Sequence, residues 1–506
     1  MDNLQEIIGI LSQDDKKGFR RFINRQKKLD QRKDLELFEL LDRTEKYTSK
    51  EILGKLYETP NPTAYHALRK RLIKKLMEYI TLKRMEADTT SASSIMSIIS
   101  LAGYLLDHKA ERLAWFYLKK AEKLAHSNEQ FDLLNTLYNV QIENSQSEYA
   151  LPLNDIIKRK EANQQLALED ERVTIAYSLI KERLQQIILE GQEIDFEAVI
   201  QTILRQYQLH DAVIQRPKLL YNVLSITRSA ILAKKDFYTF EPYIIRHYRE
   251  AKFSFSKSNH FYKLSIIYMI AHVLYRNRKF KASAVYLDEM QEDLLAFNRS
   301  HYVRFYAKYT LLRAAVNCYI GKISEGVGLL EEELQRKDSI FNVKDQIEMR
   351  LNLCFYYFLQ GRFGDAVKLN LEMGKTEKWL EKNMGREWVM KRSIMEVIAH
   401  YELQNRDLVS SRIRSIERNF ANIFKHPLYQ RGRAFLNLMK ILIDRPKEAI
   451  SETFKSQAET ALITIPEEQE DLQAMAFYAW LKSKMLDQNY YEVLLDTVKP
   501  EVDLAS

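Results

Sequence analysis

Residues 346–374 read QIEMRLNLCFYYFLQGRFGDAVKLNLEMG. Met349, Leu353, Tyr356, Tyr357 and Leu359 recur mostly three or four positions apart, which lines them along one face of a helix. Gln360-Gly361-Arg362 then breaks the pattern, and Gly361 suits the positive φ of a helix C-terminal cap. Phe363, Ala366, Val367, Leu369 and Met373 resume it as a second amphipathic helix. Ala366 is the informative position, because a small side chain three residues after the turn aromatic lets the two helices approach closely. The stretch therefore predicts a helical hairpin with an apolar face that must be covered.

Outward from this unit the same short turn recurs at Lys235-Asp236-Phe237, Arg278-Lys279-Phe280, Gly321-Lys322-Ile323, Arg406-Asp407-Leu408, Arg445-Pro446-Lys447 and Gln488-Asn489-Tyr490. The spacing stays at roughly 40 to 45 residues, the range of a solenoid of helical hairpins. Such a hairpin cannot bury its apolar face alone, so stability becomes a sum of contacts between neighbours and the end units need caps. Residues 471–495, with Met475, Phe477, Trp480, Leu481, Tyr490 and Leu494, read as the last hairpin, ended by Lys499-Pro500.

Cys354, Gly361, Phe363 and Ala366 fill, in order, a small residue of the first helix, a turn glycine, a turn aromatic and a small residue three positions on. An earlier unit offers Ala271, Arg278, Phe280 and Ser283, a later one Ala399, Asn405, Leu408 and Ser411. Ala102, Ala114, Leu118 and Ala121 fit the same scheme, and Gly191, Phe196 and Val199 mark a further turn. In these positions the chain resembles the tetratricopeptide repeat (TPR) family. The resemblance implies an all-α, right-handed α-solenoid of TPR-like hairpins over residues 91–500. It departs from the family at Phe240, where a small residue is expected, and in a period above the family's roughly 34 residues, which longer helices explain. A HEAT-like array, with a period of about 40 to 47, remains the alternative. In the family the first helices line a concave groove, and the matching positions here are Tyr268, His272, Arg276, Asn352, Phe355, Glu396 and His400. Their mix of aromatic, amide and charged groups suits a protein or peptide partner held by stacking and charge-assisted hydrogen bonds.

Residues 1–90 do not follow the repeat and hold most of the excess positive charge. Lys16, Lys17, Arg20, Arg21, Arg25, Lys27, Lys28, Arg32 and Lys33 are opposed within their run by little more than Asp30. Thr48-Ser49-Lys50-Glu51 reads as a helix start, Thr59-Pro60-Asn61-Pro62 as a break, and a second, Arg- and Lys-rich helix follows. That outline is helix-turn-helix-like. In such a unit Asn61, Thr63, Tyr65, His66 and Arg69 would face base edges, while Lys70 and Lys74 would neutralise phosphates. The plainer reading is a helical cap in which Leu68, Leu72, Leu76 and Ile80 pack on the first repeat and the basic residues are solvated.

With 13 Gly and 9 Pro in 506 residues, long helices are seldom interrupted, and no Gly/Ser-rich or Pro-rich linker divides the chain. The longest nearly apolar stretch, Ile95 to Leu106, is well short of the roughly 20 residues that span a bilayer. The acidic start does not read as a secretory signal, so no membrane association and a cytoplasmic location are expected. Cys318 and Cys354 are expected as buried thiols. No phosphate-binding loop, dinucleotide-binding glycine pattern, metalloprotease motif or nucleophile elbow occurs, and histidines such as His210, His247, His260 and His301 lack ligand spacing. Runs such as Glu331-Glu332-Glu333 and Glu467-Glu468 read as solvated helix faces. The expectation is a non-catalytic cytoplasmic scaffold without cofactor or metal, binding a protein or peptide in the groove. The alternative is a DNA-binding transcriptional regulator, similar to repeat-containing bacterial regulators, with the TPR-like array as sensor.

Overall fold

A computed structural model describes residues 3–25, 33–42, 49–86, 88, 91–190, 196–209, 215–234, 237–251, 259–295, 301–336, 340–425, 430–462 and 472–498. The turns expected at Gly191 and at Lys235-Asp236, the basic residues Lys27, Lys28 and Arg32, the acidic pair Glu467-Glu468, His210, and the close at Lys499-Pro500 lie outside them. The described residues contain helices and no strand, as the scarcity of Gly and Pro requires. None of these helices is long and apolar enough to cross a membrane.

The chain forms two compact units, Met1–Leu168 and Glu169–Ser506. The first unit holds two separate apolar cores. Helices α1 (Asn3–Ile10), α2 (Gln13–Arg25), α3 (Lys33–Asp42), α4 (Ser49–Leu56) and α5 (Pro62–Glu86) close one around Leu4, Ile8, Phe19, Phe38, Leu68 and Leu72. Helices α6 (Ala92–Asp107), α7 (Glu111–Ser127) and α8 (Phe131–Glu143), with the first part of α9 (Leu153–Glu190), close the other around Trp115, Leu134 and Tyr138. The change at residue 90 read from the sequence thus falls between two cores of one unit.

The second unit continues through α10 (Phe196–Gln206) into successive hairpins: α11 (Pro217–Lys234) with α12 (Phe237–Ala251), α13 (His260–Arg276) with α14 (Phe280–Leu295), α15 (Tyr302–Tyr319) with α16 (Ile323–Gln335), and α17 (Val343–Leu359) with α18 (Phe363–Leu371). A short helix, α19 (Glu377–Met384), precedes the next hairpin, α20 (Arg386–Glu402) with α21 (Arg406–Asn419). First helices start at His260, Tyr302, Val343 and Arg386, a period of about 42 residues. Each helix packs on the next, and the first helices α11, α13, α15, α17 and α20 also touch one another in series. One continuous core runs from Val173 to Val498.

The hairpin turns share a device. A residue with positive φ stands at Lys109 (59°), Arg278 (62°), Gly321 (87°), Gly361 (72°) and Gln404 (60°). At a constant offset beyond it comes a buried residue of the second helix: Ala114, Ser283, Gly326, Ala366 or Val409. At a constant offset before that lies its counterpart in the first helix: Ala102, Ala271, Ala314, Cys354 or Val397. Ser283 Oγ donates to Ala271 O at 2.8 Å, Cys354 Sγ donates to Ala366 O at 3.4 Å, and a Cβ at Gly326 would stand 2.9 Å from Ala314 O. Small residues here set how closely the helix backbones approach. In the α20–α21 hairpin the expected register slips by two: Arg406 opens the second helix, Leu408 is exposed, and Val397 and Val409 hold the places assigned to Ala399 and Ser411.

The chain then runs through α22 (Gln430–Asp444), a 3-10 turn at Pro446–Ile450 where the sequence shows Arg445-Pro446-Lys447, and α23 (Glu452–Leu462). It ends in the hairpin α24 (Leu472–Leu486) and α25 (Tyr490–Thr497). Asn489 caps α25 by accepting from the N–H groups of Tyr491 and Glu492, at 2.9 and 3.2 Å. This hairpin does more than follow its predecessor. Tyr491 Oη donates to Cys318 O at 2.5 Å, the Tyr490 ring meets Phe358 edge-on at 5.3 Å, and Trp480 Nε1 donates to Glu402 Oε1 at 2.7 Å. It therefore bonds to the ends of three earlier hairpins, a long-range clasp that a purely nearest-neighbour array would lack.

Cys318 and Cys354 are free and buried. Burial pushes the Cys354 thiol up to about 12, so both its packing and its protonation make it a weak nucleophile. The run Glu331-Glu332-Glu333 is not one solvated face. Glu333 is buried and accepts from Tyr306 Oη at 2.8 Å, and Glu331 accepts from Tyr357 Oη at 2.6 Å.

Candidate protein-binding surface

Helices α11, α13, α15 and α17 lie side by side, so residues repeating at helical spacing on each merge into one surface. Tyr268 and His272, one turn apart on α13, have ring centroids 6.1 Å apart. Desolvation raises the Tyr268 phenol and lowers His272 to about 3, and Arg228 on α11 and Arg276 push the imidazole in the same direction. His272 is thus neutral at pH 7, and its buried Nδ1 has no hydrogen-bond partner among the described residues. Arg276 lies at the end of the same helix, its guanidinium 5.2 Å from the Phe237 ring.

On the next first helix, α15, Arg304 and Lys308 are exposed one turn apart. The Arg304 guanidinium stands 4.4 Å from the Phe261 ring, and Lys308 Nζ 5.6 Å from the Tyr268 ring and 5.8 Å from Phe305. Lys308 is held below the usual lysine range by desolvation first, then by Arg304 and Arg228. Phe261 continues the aromatic stripe, 6.0 Å from Tyr221 and 5.8 Å from His301. Arg228, Arg304 and Lys308 have no carboxylate at ion-pair distance among the described residues, and Arg228 Nε is buried without a partner there. Two carboxylates on α17 border the patch: Asp345 acts on Lys308 and Glu348 on Tyr268, and burial holds Glu348 above the usual range.

The sequence-derived positions divide. Tyr268, His272 and Arg276 come together on α13. Asn352 and Phe355 lie half-buried on α17, Phe355 at the edge of the core. Glu396 and His400 are drawn elsewhere: Glu396 accepts from Arg412 of α21 at 2.9 Å, and His400 Nδ1 lies 3.3 Å from Asn405 Nδ2 at the turn. Both make these polar contacts within their own hairpin. Sequence reasoning misses Arg228, Arg304, Lys308 and Phe261, although the i, i+4 spacing of Arg304 and Lys308 is visible in it.

In the first unit, Asn61 Oδ1 accepts from Ala64 N at 3.0 Å and so caps α5. Thr63, His66, Lys70 and Lys74 are exposed along one stripe of that helix. Tyr65 is buried, and Arg69 folds over it, donating to Tyr65 Oη at 3.3 Å. Part of the basic run is neutralised from α3: Lys16 pairs with Asp42 at 2.5 Å and Arg20 with Glu39 at 2.6 Å, while Lys75 pairs with Asp34 at 3.4 Å and Lys83 with Asp15.

No protein-family model and no curated protein sequence matches this chain.

Proposed function

We propose that the hairpins of the second unit form a TPR-like, right-handed α-solenoid and that the chain is a non-catalytic cytoplasmic scaffold, binding a protein or peptide segment along its first helices. The observation that carries this reading is the surface shared by α11, α13 and α15, where Tyr268, Phe261 and His272 stand among the cations Arg228, Arg304 and Lys308, which have no carboxylate at ion-pair distance among the described residues. Aromatic and Arg side chains at partly desolvated positions are the composition of binding hot spots. The constant offset between small residues of paired helices supports the solenoid reading. Partner capture from native lysate on the full chain tests it. Tyr268→Ala and Arg276→Ala should each lose at least one partner that wild type retains; an unchanged partner set for both would overturn it.

A second reading, DNA binding by a helix-turn-helix-like region within residues 1–90, rests on the exposed stripe of His66, Lys70 and Lys74, which are without ion pairs among the described residues. Under it, Lys70→Glu/Lys74→Glu in the full chain weakens retention on duplex DNA and lowers the salt slope by about one for each phosphate no longer neutralised. Unchanged retention would exclude this stripe.

A further inference from the structure

Resting on the peptide-binding reading, we infer that the surface of α11, α13 and α15 selects an acidic, extended segment of a partner protein, with Arg228, Arg304 and Lys308 taking its carboxylates and Phe261 and Tyr268 its intervening side chains. The charge distribution carries the inference. Several other cations of the second unit have acidic partners: Arg216 has Asp170 at 2.5 Å, Lys263 has Asp293 at 2.6 Å and Lys279 has Glu241 at 3.0 Å. Arg228, Arg304 and Lys308 have none among the described residues, and Arg304 and Arg228 stand close enough to Lys308 to disfavour its charge. The three cations stand close together on one surface without a counter-ion at ion-pair distance among the described residues, and an arriving carboxylate supplies one through charge-assisted hydrogen bonds.

The spacing suits side chains of an extended segment. Arg304 and Lys308 are one helical turn apart, about 5–6 Å between Cβ atoms. Alternate side chains of an extended strand repeat at about 6.6 Å. Two acidic residues flanking one other residue can therefore reach both cations, leaving the Tyr268 and Phe261 rings for the neighbouring side chains. Asp345 and Glu348 on α17 bound the patch and would repel an anion that continued past it. That border disfavours a uniform polyanion such as a nucleic-acid strand and favours a segment whose acidic part is short and is followed by amide or basic groups.

The test is selection of a random dodecapeptide library, displayed on phage, against the immobilised full chain. It is run in parallel with Arg304→Glu/Lys308→Glu and with a control reversal on exposed positions of α21, Arg414→Glu/Arg418→Glu, with helicity of all three checked by circular dichroism. Wild type and control should enrich peptides carrying two acidic residues at alternate positions. A fluorescein-labelled consensus peptide should bind the Arg304→Glu/Lys308→Glu variant at least about tenfold more weakly. The milder Arg304→Gln/Lys308→Gln, tested alongside, should weaken it in the same direction and covers the case in which charge reversal disturbs folding. Acidic enrichment that survives in both variants would overturn the inference. Enrichment without acidic bias, abolished by Tyr268→Ala, would overturn it while leaving the peptide-binding reading standing. Absence of any enrichment would sink both. Preferential binding of an oligothymidylate, abolished in the charge-reversed variant, would replace the peptide by a nucleic acid.

Discussion

His272 is neutral in the folded chain because burial, Arg228 and Arg276 all oppose its protonation, which lowers it from 6.5 to about 3. The unfolded chain takes up a proton near pH 6.5 and the folded chain does not, so between those values the unfolded state binds more protons. Stability is therefore intact above pH 6.5 and falls as the pH drops toward 3, by up to about 1.4 kcal/mol per pH unit for one group. His301 and His400 are lowered as well and act in the same direction, while Glu348, raised by burial, acts in the opposite direction at lower pH. Urea unfolding at pH 7 and pH 5.5 should show a loss in wild type that His272→Gln reduces; an equal loss in the variant would mean that the imidazole is solvated. At this scale the sequence is partly legible. That Tyr268, His272 and Arg276 share one face of a helix is legible in their spacing, because spacing on one helix is local. Arg228 and Lys308 cannot, because their proximity is created only when α11, α13 and α15 pack side by side.

The hairpin turns show what makes helix boundaries readable. Gly321 and Gly361 occupy left-handed positions and can be found in the sequence by that requirement, but Arg278 and Gln404 occupy equivalent ones. A non-glycine residue at positive φ carries no signature, so sequence reasoning places the start of α21 two residues late. Helix existence survives this because the apolar period extends over several turns. Two glycines of α16 test the close-approach argument with opposite signs. At Gly326 a Cβ would lie 2.9 Å from the Ala314 carbonyl oxygen, whereas at Gly328 it would meet nothing within 4 Å. Gly328→Ala should stabilise by about 0.5–1 kcal/mol, the ordinary helix-propensity gain. Gly326→Ala should lose that gain to overpacking, which costs typically about 1–3 kcal/mol, and lower the melting temperature. Thermal melts of the two variants check the pair, and stabilisation by both would show that the helices yield freely at Ala314.

At the scale of the second unit, the feature hidden from the sequence is the destination of its last hairpin. Amphipathic period and the Asn489 cap identify α24 and α25, but nothing local says that Tyr491 reaches Cys318 O or that Trp480 reaches Glu402. Because these contacts join segments far apart in sequence, breaking them should affect the unit as a whole. Trp480→Ala, which empties a fully buried site and removes a donor from Glu402, should cost about 3–5 kcal/mol and lower the unfolding midpoint of residues 169–506 as one transition. Hydrogen exchange would check it: faster exchange confined to α24 and α25, with α15 and α17 as protected as in wild type, would show the hairpin to be peripheral.

The bond from Tyr491 to the Cys318 carbonyl also sets an order of events during synthesis. Helices α15 to α18 leave the ribosome well before their covering hairpin exists, so the side of the Phe358 ring that Tyr490 covers stays wet until nearly all of the described chain has been translated. A nascent chain halted before Leu472 would therefore present a sticky end to chaperones, and release from them would coincide with arrival of the final two helices.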